Sequence, residues 1–193
     1  TDYTKMELLG TTLDDAAGEC FDKVARVLGM PYPGGAALDR RAQQGNPDRY
    51  PLPRARAGEN PLDMSFSGLK TAAINLIHNM SQKGQAVAVE DLCASFSAAV
   101  SDTLVPRAME ALKRTGSRKL AVAGGVAANS RIRKDLQAAA AQQGIQMYMP
   151  PLSLCGDNAA MIGAQGYYEY LAGNTGDMTL NAYATKSILG EKL

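Results

Sequence analysis

An α/β fold with a mainly helical middle is predicted by three features of the sequence. After Gly116 the pattern runs strand, helix, strand, helix, as in a parallel βαβ unit. Before it, apolar residues recur at helical spacing over residues 14–28 and 87–115. Apolar residues make up 46% of the chain and charged residues 20%, enough to build a core and too balanced for a disordered chain.

The elements follow in order. The chain opens on TDYTKMELLG without an initiator Met, and residues 6–9 read as a short strand; both features suggest a piece of a longer protein. Residues 14–28 carry Ala17, Cys20, Phe21, Val24, Ala25 and Leu28 on one helical face, with Thr11 or Thr12 as N-cap and Gly29 as the stop. PYPGG, residues 31–35, is a turn, followed by a short helix over 36–44 that Gly45 ends. Pro47, Pro51, Pro53 and Pro61 exclude a long regular element between 46 and 63. Residues 65–80 read as an extended piece turning at Gly68 into a helix, and 87–115 as a longer helix in which Pro106 predicts a kink or a break. A short buried strand over 120–125 runs into a glycine pair. A helix from about Asn129 to Gly144, a second strand over 145–150 and a last helix over 156–173 complete the pattern.

Composition narrows the function. Twenty Lys and Arg stand against 19 Asp and Glu, for a net charge of +1, which advertises no nucleic-acid partner and leaves room for a local basic patch. His78 is the only histidine, so no two-histidine site is complete here. Cys20, Cys93 and Cys155 form no CxxC pair, which removes zinc-ribbon and redox-motif readings and fits buried thiols in a cytosolic protein. No apolar run approaches the ~20 residues of a membrane span.

Three stretches have the residue types for chemistry. GGVAAN, residues 124–129, joins a strand to a helix, where backbone N–H groups and the absence of Cβ atoms admit a phosphate or ribose; Asn129 is equally a helix cap. In DDAAGECFDK, Asp15, Glu19 and Asp22 share one helical face, which is more often solvated than functional. In CGDNAAM, Asp157 precedes the last helix as a cap or a metal ligand. His78 reads as a surface or packing residue. Three basic clusters, Arg49 with Arg54 and Arg56, Lys113 with Arg114, Arg118 and Lys119, and Arg131 with Arg133 and Lys134, each resemble an ordinary solvated face.

Taken together, LLGTTLDDAAGECFDKVARVLGMPYPGG, SFSGLKTA, LAVAGGVAAN and CGDNAAMI resemble, in order and spacing, the C-terminal part of the TsaD family of tRNA threonylcarbamoyltransferases. The family has archaeal and eukaryotic relatives in the KEOPS complex and an older name, glycoprotease or O-sialoglycoprotein endopeptidase. The resemblance implies one lobe of a two-lobed actin-like (ASKHA, ribonuclease H-like) ATPase fold. The core would be 1–30 with 117–193, and the helical insertion 31–116. It implies transfer of threonylcarbamoyl from threonylcarbamoyl-AMP to N6 of adenine 37 in tRNAs reading ANN codons. Asp22, Gly35 and Asn129 would bind the adenylate substrate, Gly124 and Gly125 would line its pocket, and Glu19 would support it. Asp157 would bind a divalent metal, iron or zinc, with an HxxxH pair from the other half of the protein. TsaB-type and TsaE-type partners, tRNA and a cytoplasmic location follow from the same resemblance.

Two departures stand out. Gly156 occupies the place of the usual threonine before the metal aspartate, and the HxxxH pair is absent from these residues. The chain by itself is therefore expected to be inactive, with a non-catalytic scaffold as the alternative reading. Proteolysis is disfavoured, because no nucleophile, base and metal set assembles. A homodimer through the strand at 6–9 or the surface facing the missing lobe is also expected.

Overall fold

The computed structural model describes residues 2–54 and 58–182, so Arg56 of the first basic cluster lies outside the described residues. It is a mixed α/β structure whose residues group into two compact units, Gly10–Cys155 and a smaller one made of Thr1–Leu9 with Gly156–Leu193.

The larger unit is built around helices α1 (Ala17–Val27), α2 (Gly34–Ala42), α3 (Ser67–Gln82) and α4 (Val89–Thr115). Its centre is the first half of α4, where every residue from Leu92 to Ser101 is buried. Small residues, Ala94, Ser95, Ser97, Ala98, Ala99 and Ser101, alternate there with Leu92, Phe96 and Val100, and let neighbouring helices close in. Phe96 meets Phe21 of α1 edge to face, with ring centroids 5.4 Å apart. Cys20, Phe21, Val24 and Ala25 are the buried face of α1, as its periodicity predicts. Each fully buried large side chain stabilises the unit by about 1.5–3 kcal/mol.

The βαβ unit is present: β1 (Lys119–Ala121) pairs in parallel with β2 (Gln146–Tyr148), Leu120 opposite Met147, and α5 (Ser130–Gln142) connects them. Between β1 and α5 lies a single 3-10 turn, Gly125–Ala128. Gly116, at φ 67°, closes α4 in the left-handed conformation that favours glycine.

Four expectations need correction. The first helix starts at Ala17, not residue 14, because Thr12 Oγ1 donates to the Asp15 carbonyl at 2.7 Å and holds the preceding residues in a turn. Residues 6–9 form no strand among the described residues, so dimerisation through that edge loses its premise. The strand after Gly116 is half-exposed rather than buried: the described sheet has two strands, and only Leu120 of β1 is turned partly inward. Finally, α4 runs unbroken through Pro106. Arg107 helps there, donating Nη1 to the Thr103 carbonyl (2.9 Å) and Nε to the Asp63 carbonyl (3.0 Å), which ties the helix to the proline-rich loop.

The smaller unit contains α6 (Ala159–Leu171). Tyr3 stacks on Tyr168, centroids 3.7 Å apart, and Gln165 Nε2 donates to the Tyr3 carbonyl at 3.3 Å. No residue of α6 is buried, and Met161, Ile162, Tyr167, Tyr170 and Leu171 are exposed. No described helix is long and apolar enough to cross a membrane.

Candidate functional site

Asp22 lies midway along α1 and reaches the start of α2. Its Oδ1 accepts hydrogen bonds from the backbone N–H groups of Gly34 (2.8 Å) and Gly35 (3.0 Å). The residue before α2 is Pro33, which has no side chain able to cap, so a carboxylate from another helix takes that role. PYPGG acquires a physical reason: a Cβ on Gly34 would stand 2.3 Å from the Ala25 Cβ, so glycine lets α2 lie against α1. Oδ2 of Asp22 has no hydrogen-bond partner among the described residues.

The other carboxylates of the predicted acidic face are engaged elsewhere. Asp15 precedes the helix rather than sharing its face. It pairs with Lys23 at 2.7 Å and with Lys70, while Lys23 also holds Glu19 at 2.6 Å. Hydrogen bonds from Lys23 and then Lys70 outweigh burial and hold the Asp15 carboxyl below its ordinary value. Lys23 is correspondingly raised, chiefly by Asp15 and then Glu19. Asp14 caps α3 from a distance: Oδ1 accepts from Phe66 N (2.8 Å) and Ser67 N (3.2 Å), and Ser65 Oγ donates to Oδ2. Burial pushes the Asp14 carboxyl up, yet the Ser65, Phe66 and Ser67 bonds together bring it below its ordinary value. The DD pair and SFSGLK thus meet as one network.

The glycine turn follows β1. Gly124 takes φ 91°, a conformation that excludes side chains, whereas a Cβ at Gly125 would meet open space. Asn129 is buried and caps α5, its Oδ1 accepting from Ile132 N at 3.0 Å. Gly18 of α1 packs beside Val126 of the turn. Sequence reasoning missed Asp39: its carboxylate accepts from Ser130 N (3.1 and 3.2 Å) and Ser130 Oγ (2.8 Å), joining α2 to the start of α5. Its position one helical turn after Gly35 was the available signal. Asp22, Gly35, Gly124, Gly125 and Asn129 all belong to the larger unit, in which Asp22 joins α1 to α2, Gly18 of α1 lies beside the glycine turn, and Asp39 joins α2 to the start of α5. Together they offer a free carboxylate oxygen, an asparagine amide and backbone without Cβ atoms: the functional groups that recognise ribose hydroxyls and phosphate.

Asp157 belongs to the smaller unit. Asn158, not Asp157, caps α6, its Oδ1 accepting from Met161 N at 3.1 Å. Asp157 is exposed and, with Asn158, Ala159, Met161 and Ile162, lines an open concavity of about 490 Å³. Among the described residues no three His, Cys, Asp or Glu groups gather where they would hold a metal, so the described residues by themselves do not fit a complete metal centre. His78 is exposed on α3.

Several residues of the basic clusters are engaged within the chain. Arg133 turns inward, donating to the Ala127 carbonyl (2.8 Å) and the Pro150 carbonyl (3.0 Å); Arg54 pairs with Asp102 and Arg114 with Glu110. The three thiols are buried and unpaired, and burial pushes Cys20 and Cys93 up to about 12.

The sequence profile of the TsaD family, described as tRNA N6-adenosine threonylcarbamoyltransferase, matches residues 1–164. Curated proteins of that name are 52% identical over 181 residues in Moorella thermoacetica and 50% identical over 181 residues in Bacillus subtilis. These alignments cover 94% and 93% of this chain, and 53% and 52% of the relatives. The chain therefore spans about half the length of the curated relatives it matches. Among solved structures, T. kodakarensis HypF superposes with a TM-score of 0.60 at 21% identity, over 83% of this chain and 20% of that one, a likeness of fold alone. By profile and by identity, this chain belongs to the TsaD family.

Proposed function

We propose that the chain supplies the adenylate-binding part of a tRNA N6-adenosine threonylcarbamoyltransferase, an acyltransferase that moves threonylcarbamoyl from threonylcarbamoyl-AMP to N6 of a tRNA adenine. The observation that carries this reading is the Asp22 carboxylate, which organises the Gly34–Gly35 helix start through one oxygen and keeps the other for a ligand. In the proposed complex Asp22 Oδ2 accepts a ribose hydroxyl, Gly35 lets the sugar approach the α2 backbone, and the Asn129 amide with the Gly124–Gly125 turn faces the phosphate. Glu19, already paired with Lys23, fixes that end of α1. In the transfer the N6 amine attacks the carbamoyl carbon; a C–N bond forms, the C–O bond to the phosphate breaks, AMP leaves and N6 loses a proton. The residues here hold the leaving AMP in place, a positional contribution.

The finer fold reading, an actin-like lobe with core 1–30 and 117–193 around a helical insertion at 31–116, is part of the same proposal. Asp157 is its metal-binding residue, with the remaining donors coming from outside this chain; no step is assigned to the metal. tRNA, TsaB-type and TsaE-type proteins as partners, a cytoplasmic location, a homodimer through the surface that would face the other lobe, and inactivity of this chain alone complete the reading. The test is formation of threonylcarbamoyladenosine from tRNA and threonylcarbamoyl-AMP. No product is expected with this chain alone. Product is expected with the full-length protein, and there Asp22→Ala should cut kcat/KM about tenfold or more, the effect of one charge-assisted contact. Product from this chain alone, or full activity in Asp22→Ala, overturns the proposal.

A further inference from the structure

Helices α2, α4 and α5 enclose a cleft of about 380 Å³ that the adenylate site does not use. Alanines and a proline form its apolar wall, and Gln43, Ser97, Ser130, Arg131 and Lys134 its polar one. That size lies at the lower end of small-ligand pockets.

Two observations point to a ligand. The first is charge. The lining has two cations and no carboxylate, and the neighbouring acids are already bound: Asp39 by Ser130, and Asp135 by Arg131 Nε (2.5 Å) and Ser101 Oγ (2.6 Å). Arg131 engages Asp135 through Nε, which leaves its terminal nitrogens for a second acceptor. Lys134, exposed, makes no ion pair among the described residues. The second is Ser97. It is 1% exposed, it lines the cleft, and its Oγ is the buried side-chain oxygen that has no hydrogen-bond partner among the described residues. Buried hydroxyls are almost always satisfied, so a missing partner marks a place where an acceptor belongs.

We propose that this cleft binds a phosphate group. The group sits between Arg131 and Lys134, with the Ser97 hydroxyl and the Gln43 amide donating to its oxygens. Arginine and lysine around one oxyanion, with neutral donors filling the remaining lone pairs, is the chemistry that selects phosphate over a neutral polar group. The phosphate belongs either to a small phosphomonoester or to an RNA backbone. This inference does not rest on the transferase reading, since none of the five residues is assigned to the adenylate.

The test is amide NMR of this chain titrated in parallel with inorganic phosphate and with a short single-stranded RNA bearing hydroxyl ends. Saturable shifts at Ser97, Ser130, Arg131 and Lys134 are expected. If phosphate alone saturates them, the ligand is a small phosphomonoester; if only the RNA does, it is a backbone phosphate. Lys134→Ala, an exposed change, should weaken binding about tenfold. Ser97→Ala should weaken it without lowering the thermal midpoint. Absence of saturable shifts with both probes, shifts confined to Gly124–Asn129, or unchanged affinity in Lys134→Ala and Ser97→Ala would overturn the proposal.

Discussion

Asp14, Asp15 and Asp22 lie within nine positions of one another, yet each serves a different contact. Asp22 caps α2, Asp14 caps α3 and Asp15 is locked between Lys23 and Lys70. Asp22→Ala removes a cap and should destabilise the chain by about 1–2 kcal/mol in urea unfolding. Asp14 and Asp15 have folded-state carboxyls below their ordinary values. Their stabilisation is complete above the unfolded value of about 3.9 and is lost as pH falls through the folded values. Unfolding free energy should therefore drop below about pH 4, and less steeply in Asp15→Asn; parallel acid profiles for the two proteins would contradict this. The buried thiols run the other way. With Cys20 and Cys93 pushed up to about 12, their contribution is full below the unfolded value of about 8.5 and is lost as pH rises through the folded one. Maleimide at pH 8 should label neither in the native protein and both after denaturation, read by mass spectrometry.

At the scale of elements, contacts rather than propensities set the joins. Gly34 is needed because α2 rests on Ala25, so Gly34→Ala should force the two helices apart and cost about 1–3 kcal/mol in thermal unfolding. Asn129 and Asp39 both act on the first turn of α5, one bonding Ile132 N and the other Ser130. Asn129→Ala and Asp39→Ala should each cost about 1 kcal/mol, and the double variant should depart from additivity because both stabilise the same helix end. Pro106 shows where a local rule yields. Proline removes one helical donor, but a helix packed on several sides and held by Arg107 continues past it. The motif SFSGLK was legible as a motif, while its purpose, docking onto the DD pair, joins residues some fifty positions apart and has no local signal.

For the molecule as a whole, the two units differ in what holds them. The larger has a continuous core running from Cys20 to Ile145, whereas α6 buries none of its residues. Amide exchange should reflect this, with protection in α4 exceeding that in α6 by orders of magnitude; equal protection in both would count against the description. The exposed Met161, Ile162, Tyr167 and Leu171 form an apolar helix surface on a chain that spans about half of its relatives' length.

The sequence by itself determined the helical middle, the βαβ unit and the family, because periodicity, glycine placement and motif order are local properties written along the chain. Asn129 as a helix cap belongs to the same class, since a cap acts within three residues of itself. Only the tertiary structure decided which carboxylate was available. Asp15, Glu19 and Asp22 look equivalent in sequence, and what separates them is whether a lysine or a helix start lies within hydrogen-bond reach. The same holds for Arg131 and Arg133, two residues apart, one lining a cleft and the other turned onto backbone carbonyls. Coulombic and hydrogen-bond partners act over a few ångströms in space, and sequence separation does not measure that distance.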